Sequence, residues 1–200
     1  MISLSLFEGV KQNNRLSRCQ SQLKQIALVF QQYALDYDNR LPLTAVASKS
    51  AVVATLDKYG SPTGSTPSFG WTDASQPYVK STSLLYCPNE LFGVTNGEYY
   101  TDPRNTDYWM NGRVAGASVK TIARPEHVFL HGDGDGRDKD STARYNKVAL
   151  PTEKYDDRQP IWTQRHRGGA NYSFVDGHVK WLLPEQISAA AGAEYTFSPK

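Results

Sequence analysis

Arg165-His166-Arg167-Gly168-Gly169-Ala170-Asn171-Tyr172-Ser173-Phe174-Val175-Asp176-Gly177-His178-Val179-Lys180-Trp181-Leu182 reads as a β-hairpin. Tyr172, Phe174, Val179 and Trp181 are side chains that suit a pleated, half-buried surface. Asp176-Gly177 between two alternating runs predicts a tight type I′ turn, whose two central residues both take φ > 0. Gly168-Gly169 permits a sharp entry from the preceding loop. His166 then sits where its ring can reach back to a turn or a backbone carbonyl, an ordinary structural role. His178 comes directly after the turn.

Outward from this hairpin, residues 108–110, 128–131 and 147–150 also read as short strands, separated by turns rich in Gly, Asp and Pro. The N-terminal part has a different period. Leu16, Cys19, Leu23, Ile26, Ala27, Phe30, Tyr33, Ala34 and Tyr37 recur at steps of three and four, which predicts one amphipathic helix over residues 2–38. Asp38-Asn39-Arg40 and Pro42 stop it. At 1.5 Å per residue such a helix is roughly 50 Å long, more than the width of a small domain. The stripe is absent from the first fourteen residues, which are expected to project beyond the body. Residues 50–59 read as a short helix, 60–70 as loop, 78–88 as a helical turn and then a short strand, and Pro184 opens a brief helix. A long helix ahead of a set of strands predicts an α+β fold, the helix stripe lying on an antiparallel sheet. Residues 1–40 form the stalk helix. Residues 41–200 form a single α+β head that shares the C-terminal half of that helix.

Composition narrows the partners. In 200 residues, 39% hydrophobic content and 21% charge describe a globular chain rather than a disordered one. With 22 Lys and Arg against 20 Asp and Glu the net charge is +2, too little for the basic field that nucleic acid requires. No apolar run approaches the ~20 residues of a membrane span. The two cysteines, Cys19 and Cys87, are far apart and show no metal-knuckle spacing. Either one long-range disulfide or two buried thiols is consistent with that count.

His166, nine residues, then Asp176-Gly177 closely resembles the C-terminal signature of a bacterial prepilin-like family of the His-x9-Asp-Gly type. The resemblance extends to the stalk, where Cys19-Gln-Ser-Gln22-Leu23-Lys24-Gln25-Ile26 continues to Tyr33 and Asp36-Tyr37, with Gln22 where the family commonly has Asn. Pro77-Tyr78, Tyr86-Cys87-Pro88 and Tyr108-Trp-Met-Asn111-Gly112 match as well, so it spans residues 16–182. The resemblance implies a pilin-like fold and a Cys19–Cys87 disulfide. It implies a structural subunit of a type IV pilus-like filament or a type II secretion pseudopilus, at the bacterial cell surface or outside it. Copies are expected to assemble into a homopolymer, with or without other pilin-like subunits, through Ile2, Leu4, Leu6, Phe7, Val10 and Leu16. The family's Gly-Phe cleavage site and membrane-length helix are not found; Met1-Ile-Ser-Leu-Ser-Leu-Phe-Glu8 runs straight into the stalk. A membrane is therefore expected only through a segment preceding residue 1.

Three further features are candidates for chemistry. Asp133, Asp135, Asp138 and Asp140 alternate with Gly134, Gly136 and cationic residues. Converging carboxylates of this kind suit Ca²⁺, although the EF-hand order is not kept and a solvated turn reads equally well. His127 and His131 are placed on one strand face some 13 Å apart, too far to share a metal. No nucleophile, phosphate-loop or dinucleotide motif occurs, and the chain reads as a non-enzyme. The alternative function is a carbohydrate-binding module, with Trp71 and Trp162 beside loops as its platform and Trp109 and Trp181 in the core.

Overall fold

The computed structural model describes residues 3–43, 45–46, 55–56, 62–63, 69–88, 106–134, 165–187 and 194–199. Helix α1 (Ser3–Asp36) is continuous over 34 residues, about 51 Å. It ends as its sequence dictates. Asp38 and Asn39 take φ of 53° and 61°, and the Asn39 N–H closes back on the Ala34 carbonyl at 2.7 Å, a left-handed cap available to Asp and Asn at small cost. The stripe buries Cys19, Leu23, Ile26, Ala27, Phe30 and Ala34. Tyr37, assigned to that stripe by its spacing, lies past the helix end and is half exposed, stacked on Tyr33.

The stripe packs on a four-stranded antiparallel sheet, β5 (Tyr108–Met110), β6 (Phe129–Asp133), β7 (Ala170–Phe174) and β8 (Val179–Leu182), in that spatial order. The fold is the α+β, pilin-like arrangement expected. Two cores lie on the sheet's two faces. Toward α1, Tyr108, Met110, Leu130 and Val175 meet the helix stripe and Trp71. On the other face, Trp109, Phe129, Tyr172, Phe174 and Leu182 are roofed by Ile187, Tyr195 and Phe197 of the C-terminal segment. Asn111 ties the layers together, its amide donating to the Phe129 and Phe197 carbonyls at 2.8 and 2.9 Å.

Strict alternation fails in β6, with consequences for the site. The β6–β7 register shifts between Phe129 and His131. Phe129 faces the outer core, whereas Leu130 and the next residue, His131, both face α1: Leu130 joins the helix-side core and the His131 ring meets Phe30 edge-on at 4.3 Å. A bulge of this kind inserts one residue and re-aims the side chains beyond it. Asp133 is thereby turned to the helix side.

The turn at the hairpin tip differs from expectation. At 176–177 only Gly177 has positive φ, 88°. The Phe174 carbonyl accepts the Gly177 N–H at 2.8 Å, and the Phe174 N–H donates to the His178 carbonyl at 3.0 Å, a three-residue loop ending in a left-handed glycine. Asp176 is held out of the left-handed region because its carboxylate accepts the His178 N–H at 3.0 Å. The pair with two positive φ values is instead Arg167 (55°) and Gly168 (81°), between His166 and Gly169, which exchange both backbone hydrogen bonds.

Elsewhere, residues 55–56 are not helical. β2 (Thr55–Leu56) pairs antiparallel with β3 (Pro62–Thr63), in keeping with a β-branched Thr55 before Gly60-Ser61-Pro62. β1 (Ala45–Val46) pairs with β4 (Phe69–Gly70), leading into α2 (Trp71–Ser75). Residues 76–78 and 82–85 are 3-10 turns. The strand expected at 86–87 does not form, because the Cys87 N–H is taken by the Asp107 carboxylate at 2.8 Å. His127 closes a 3-10 turn, Pro125–His127, rather than sharing a strand with His131. Pro184–Gln186 is a single 3-10 turn. The expected strand at 147–150 lies outside the described residues.

Gly169 shows how tightly the hairpin is packed. A Cβ there would sit 2.6 Å from the Trp181 ring and 2.6 Å from the Leu182 carbonyl oxygen. Gly169→Ala is expected to destabilise the head by roughly 1–3 kcal/mol through overpacking, read as a lower urea midpoint at unchanged slope.

Candidate functional site

Cys19 on α1 and Cys87 are joined by a disulfide with Cα atoms 5.5 Å apart. The bond is buried, with Cys19 0% and Cys87 2% exposed. Cys19 arrives on the helix stripe, Cys87 is fixed by the Asp107 carboxylate, and both face the end of β6. His166, itself 2% exposed, places Nε2 3.3 Å from Cys87 Sγ and 3.5 Å from Asp133 Oδ2. The backbone of His166 is held from two sides, by the pairing with Gly169 and by the Trp181 indole N–H, which donates to its carbonyl at 2.7 Å. The ring therefore lies against sulfur and a carboxylate, not against the turn or backbone carbonyl expected of it.

Asp133 Oδ2 also accepts the Asn171 N–H at 2.7 Å. Its Oδ1 is buried and has no hydrogen-bond partner among the described residues. The neighbouring Arg165 guanidinium donates to the carbonyls of Asp107 and Gly134. Tyr108 lies beside this polar centre. Burial first, then the carboxylates of Asp133 and Asp107, hold its phenol well above the usual range, so it stays protonated and donates to Gln22 Oε1 at 2.8 Å.

The remaining sequence candidates fall in different places. Asp133 belongs to this buried centre, which is not the solvated turn read for it; Asp135, Asp138 and Asp140 lie outside the described residues. Asp176 and Gly177 form the hairpin tip, gripped by the helix: Lys24 Nζ donates to the Gly177 carbonyl at 2.7 Å and the Gln31 amide to the Asp176 carbonyl at 2.8 Å. His178 pairs with Asp176 at 2.6 Å and stacks on Phe174. Gly168 and Gly169 shape the turn behind His166. Of the assembly residues, Val10 is 58% exposed and Leu16 is half-buried. Leu4, Leu6 and Phe7 lie in α1, and Ile2 is outside the described residues. Trp71 is fully buried, packed edge-on to Phe30, so it offers no sugar platform. Trp109 is in the outer core as expected, Trp181 is partly buried, and Trp162 is outside the described residues.

The sequence places His131 on a strand but does not show its burial. It is fully buried between Phe30, Trp71 and Ser173, with Nδ1 3.0 Å from Ser173 Oγ and Nε2 unpartnered among the described residues. Burial pushes its pKa down to about 3, so the folded chain keeps it neutral. Below the ordinary value near 6.5 the unfolded chain takes up a proton that the folded one refuses. The stability present above about pH 6.5 is therefore lost as pH falls toward about 3. Between pH 6.5 and 4.5 this amounts to roughly 2–3 kcal/mol. Urea titrations at the two pH values are expected to show that loss in the parent and a shallower one in His131→Phe.

A groove of about 670 Å³ runs between α1 and residues 78–84, lined by Gln22, Gln25, Leu28, Tyr78, Lys80 and Leu84 among others. No helix among the described residues is long and apolar enough to cross a membrane. Comparison with family models, with curated proteins and with solved structures finds no match to this chain.

Proposed function

We propose that this chain is a structural subunit of an extracellular pilin-like filament, of the type IV pilus or secretion-pseudopilus kind, in which copies pack through the outer surface and N-terminal part of α1. The observation that carries the reading is a set of exposed aliphatics on the outer side of the helix. Val10, Leu28 and Leu35 are 58%, 48% and 72% exposed. At 100° per residue Val10 and Leu28 share one angular position and Leu35 lies about 20° away, on the side opposite the buried stripe. Residues 10–18 add no fully buried side chain to the head. A helix that extends past its own core and carries aliphatics on its solvent face presents an interaction surface. Head-to-tail contacts along such a rod generate open filaments.

The test uses the chain in the bacterium that produces it. A photo-crosslinking residue at position 10 or 28 is expected to give ladders of multimers, with fibres at the cell surface labelled by antibodies to the head. Leu28→Asp with Leu35→Asp is expected to abolish the fibres while the purified head keeps its circular dichroism. A chain that stays monomeric under crosslinking and is missing from any fibre overturns the reading.

A further inference from the structure

The sulfur, imidazole and carboxylate groups around the disulfide form a tetrad independent of any assembly surface. One ligand atom from each of Cys19, Cys87, Asp133 and His166 lies within 4.8 Å of all the others, and all four residues are buried. They arrive from four separate places: α1, the segment after the 82–85 turn, the end of β6 beyond its bulge, and the start of the 166–169 hairpin. Bond lengths of about 2.3 Å to sulfur and 2.0–2.1 Å to nitrogen and oxygen place the vertices of a zinc tetrahedron about 3.5 Å apart for sulfur–nitrogen and about 3.3 Å for nitrogen–oxygen. The observed separations are 3.3 Å from His166 Nε2 to Cys87 Sγ and 3.5 Å from His166 Nε2 to Asp133 Oδ2. Two edges of the tetrahedron thus already stand at ligating length. The other oxygen of that carboxylate, Asp133 Oδ1, is buried and unpartnered among the described residues, so the group has unspent acceptor capacity.

We propose that, once the Cys19–Cys87 bond is reduced, these four residues bind a single Zn²⁺ in a closed site of two thiolates, one imidazole and one carboxylate, so that metal replaces the disulfide as the cross-link between α1 and the head. The exchange balances. A dithiol gives two electrons and two protons to the disulfide, becoming a cyclic disulfide and leaving two cysteine thiols. Zinc then displaces those two thiol protons to solvent as it binds two thiolates, neutral imidazole and carboxylate. Four protein ligands leave no open position, which marks a structural and not a catalytic metal. A small disulfide that takes two electrons from the two thiolates and two protons from solvent becomes a dithiol, reforms the Cys19–Cys87 bond and expels the ion, because sulfurs bonded to each other are no longer thiolates.

The test uses the full chain, reduced with a dithiol, freed of reductant by anaerobic gel filtration and titrated with zinc alone. The reduced chain is expected to take up one zinc and the oxidised chain none. With Co²⁺ as probe, the reduced chain shows thiolate-to-metal charge transfer and visible bands of tetrahedral intensity. His166→Ala and Asp133→Asn, each first verified as folded in the disulfide state, are expected to weaken zinc binding beyond the roughly 10–100-fold that loss of a merely supporting group costs. If His166→Ala does not fold, His166→Asn takes its place. Where the reduced apo chain loses its fold, added zinc restores it. Absence of uptake, failure of zinc to restore the fold, uptake indifferent to both substitutions, or equal uptake by the oxidised chain each overturns the proposal.

Discussion

Replacing both cysteines, Cys19→Ser with Cys87→Ser, is expected to lower unfolding free energy by about 4 kcal/mol. The bond closes a stretch of 68 residues, and the chain-entropy relation for that length gives about 4 kcal/mol of lost unfolded-state freedom. Against a domain stability of roughly 5–15 kcal/mol, that is a large fraction. Substituting both partners avoids a stray thiol. Two buried hydroxyls remain next to His166 and Asp133, and they can donate to the Asp133 carboxylate as the disulfide could not, which offsets part of the loss. Urea unfolding in the presence of a chelator checks the value. The melting of α1 should also change character, because its anchor at Cys19 is no longer covalent. A loss under about 1 kcal/mol would mean that packing alone holds the helix on the sheet.

Phe30→Ala is expected to cost about 3–5 kcal/mol. Phe30 is fully buried at the centre of the helix-side core, in ring contact with Trp71 at 5.7 Å and His131 at 4.3 Å. Truncation removes the transfer free energy of the ring and leaves a cavity that a sheet and a rigid helix fill only in part. The same change has a second, separable readout. With water admitted beside His131, the desolvation that depresses its pKa is relieved, so the acid sensitivity between pH 6.5 and 4.5 shrinks. Leu28→Ala, on the exposed face of the same helix, is the control and should stay within about 0.5 kcal/mol. Denaturation at two pH values separates the core effect from the titration effect.

Much of this architecture is readable in the residue order because simple periods govern it. The 3.6-residue recurrence from Cys19 to Ala34 defines the helix face, and the Asp38-Asn39 pair defines its end. Alternation through 170–174 and 179–182 gives the last two strands. The candidate site is less legible. The pairing of Cys19 with Cys87 comes from the family resemblance, and counting cysteines leaves free thiols equally open. His166 stands out in the sequence, whereas Asp133 reads only as one carboxylate of an acidic loop and not as its neighbour, because the β6 bulge shifts the faces of that strand and no local pattern marks the inserted residue. For the same reason His131 reads as one of two strand histidines, although it is sealed against Phe30. The turn with two positive φ values that Asp176-Gly177 predicts forms instead at Arg167-Gly168. Arg167 in a left-handed conformation contradicts its local preference and is held by the His166–Gly169 pairing, while the Asp176 carboxylate accepts the His178 N–H. Trp71 resembles loop surface because its neighbours are Gly, Thr and Asp, yet the short helix it opens folds it under α1.

Lys24 and Gln31, seven residues apart on one helix face, hold adjacent carbonyls at the hairpin tip, and the sulfur bridge sits more than one turn further toward the N-terminus. A tensile load applied along the rod would meet these attachments in shear, so they would share the force instead of peeling one after another. Of these three attachments the covalent link lies closest to the N-terminus and carries the largest share. Chemical cleavage of that single bond would therefore convert a load-sharing joint into one that yields by slippage of the rod against the sheet.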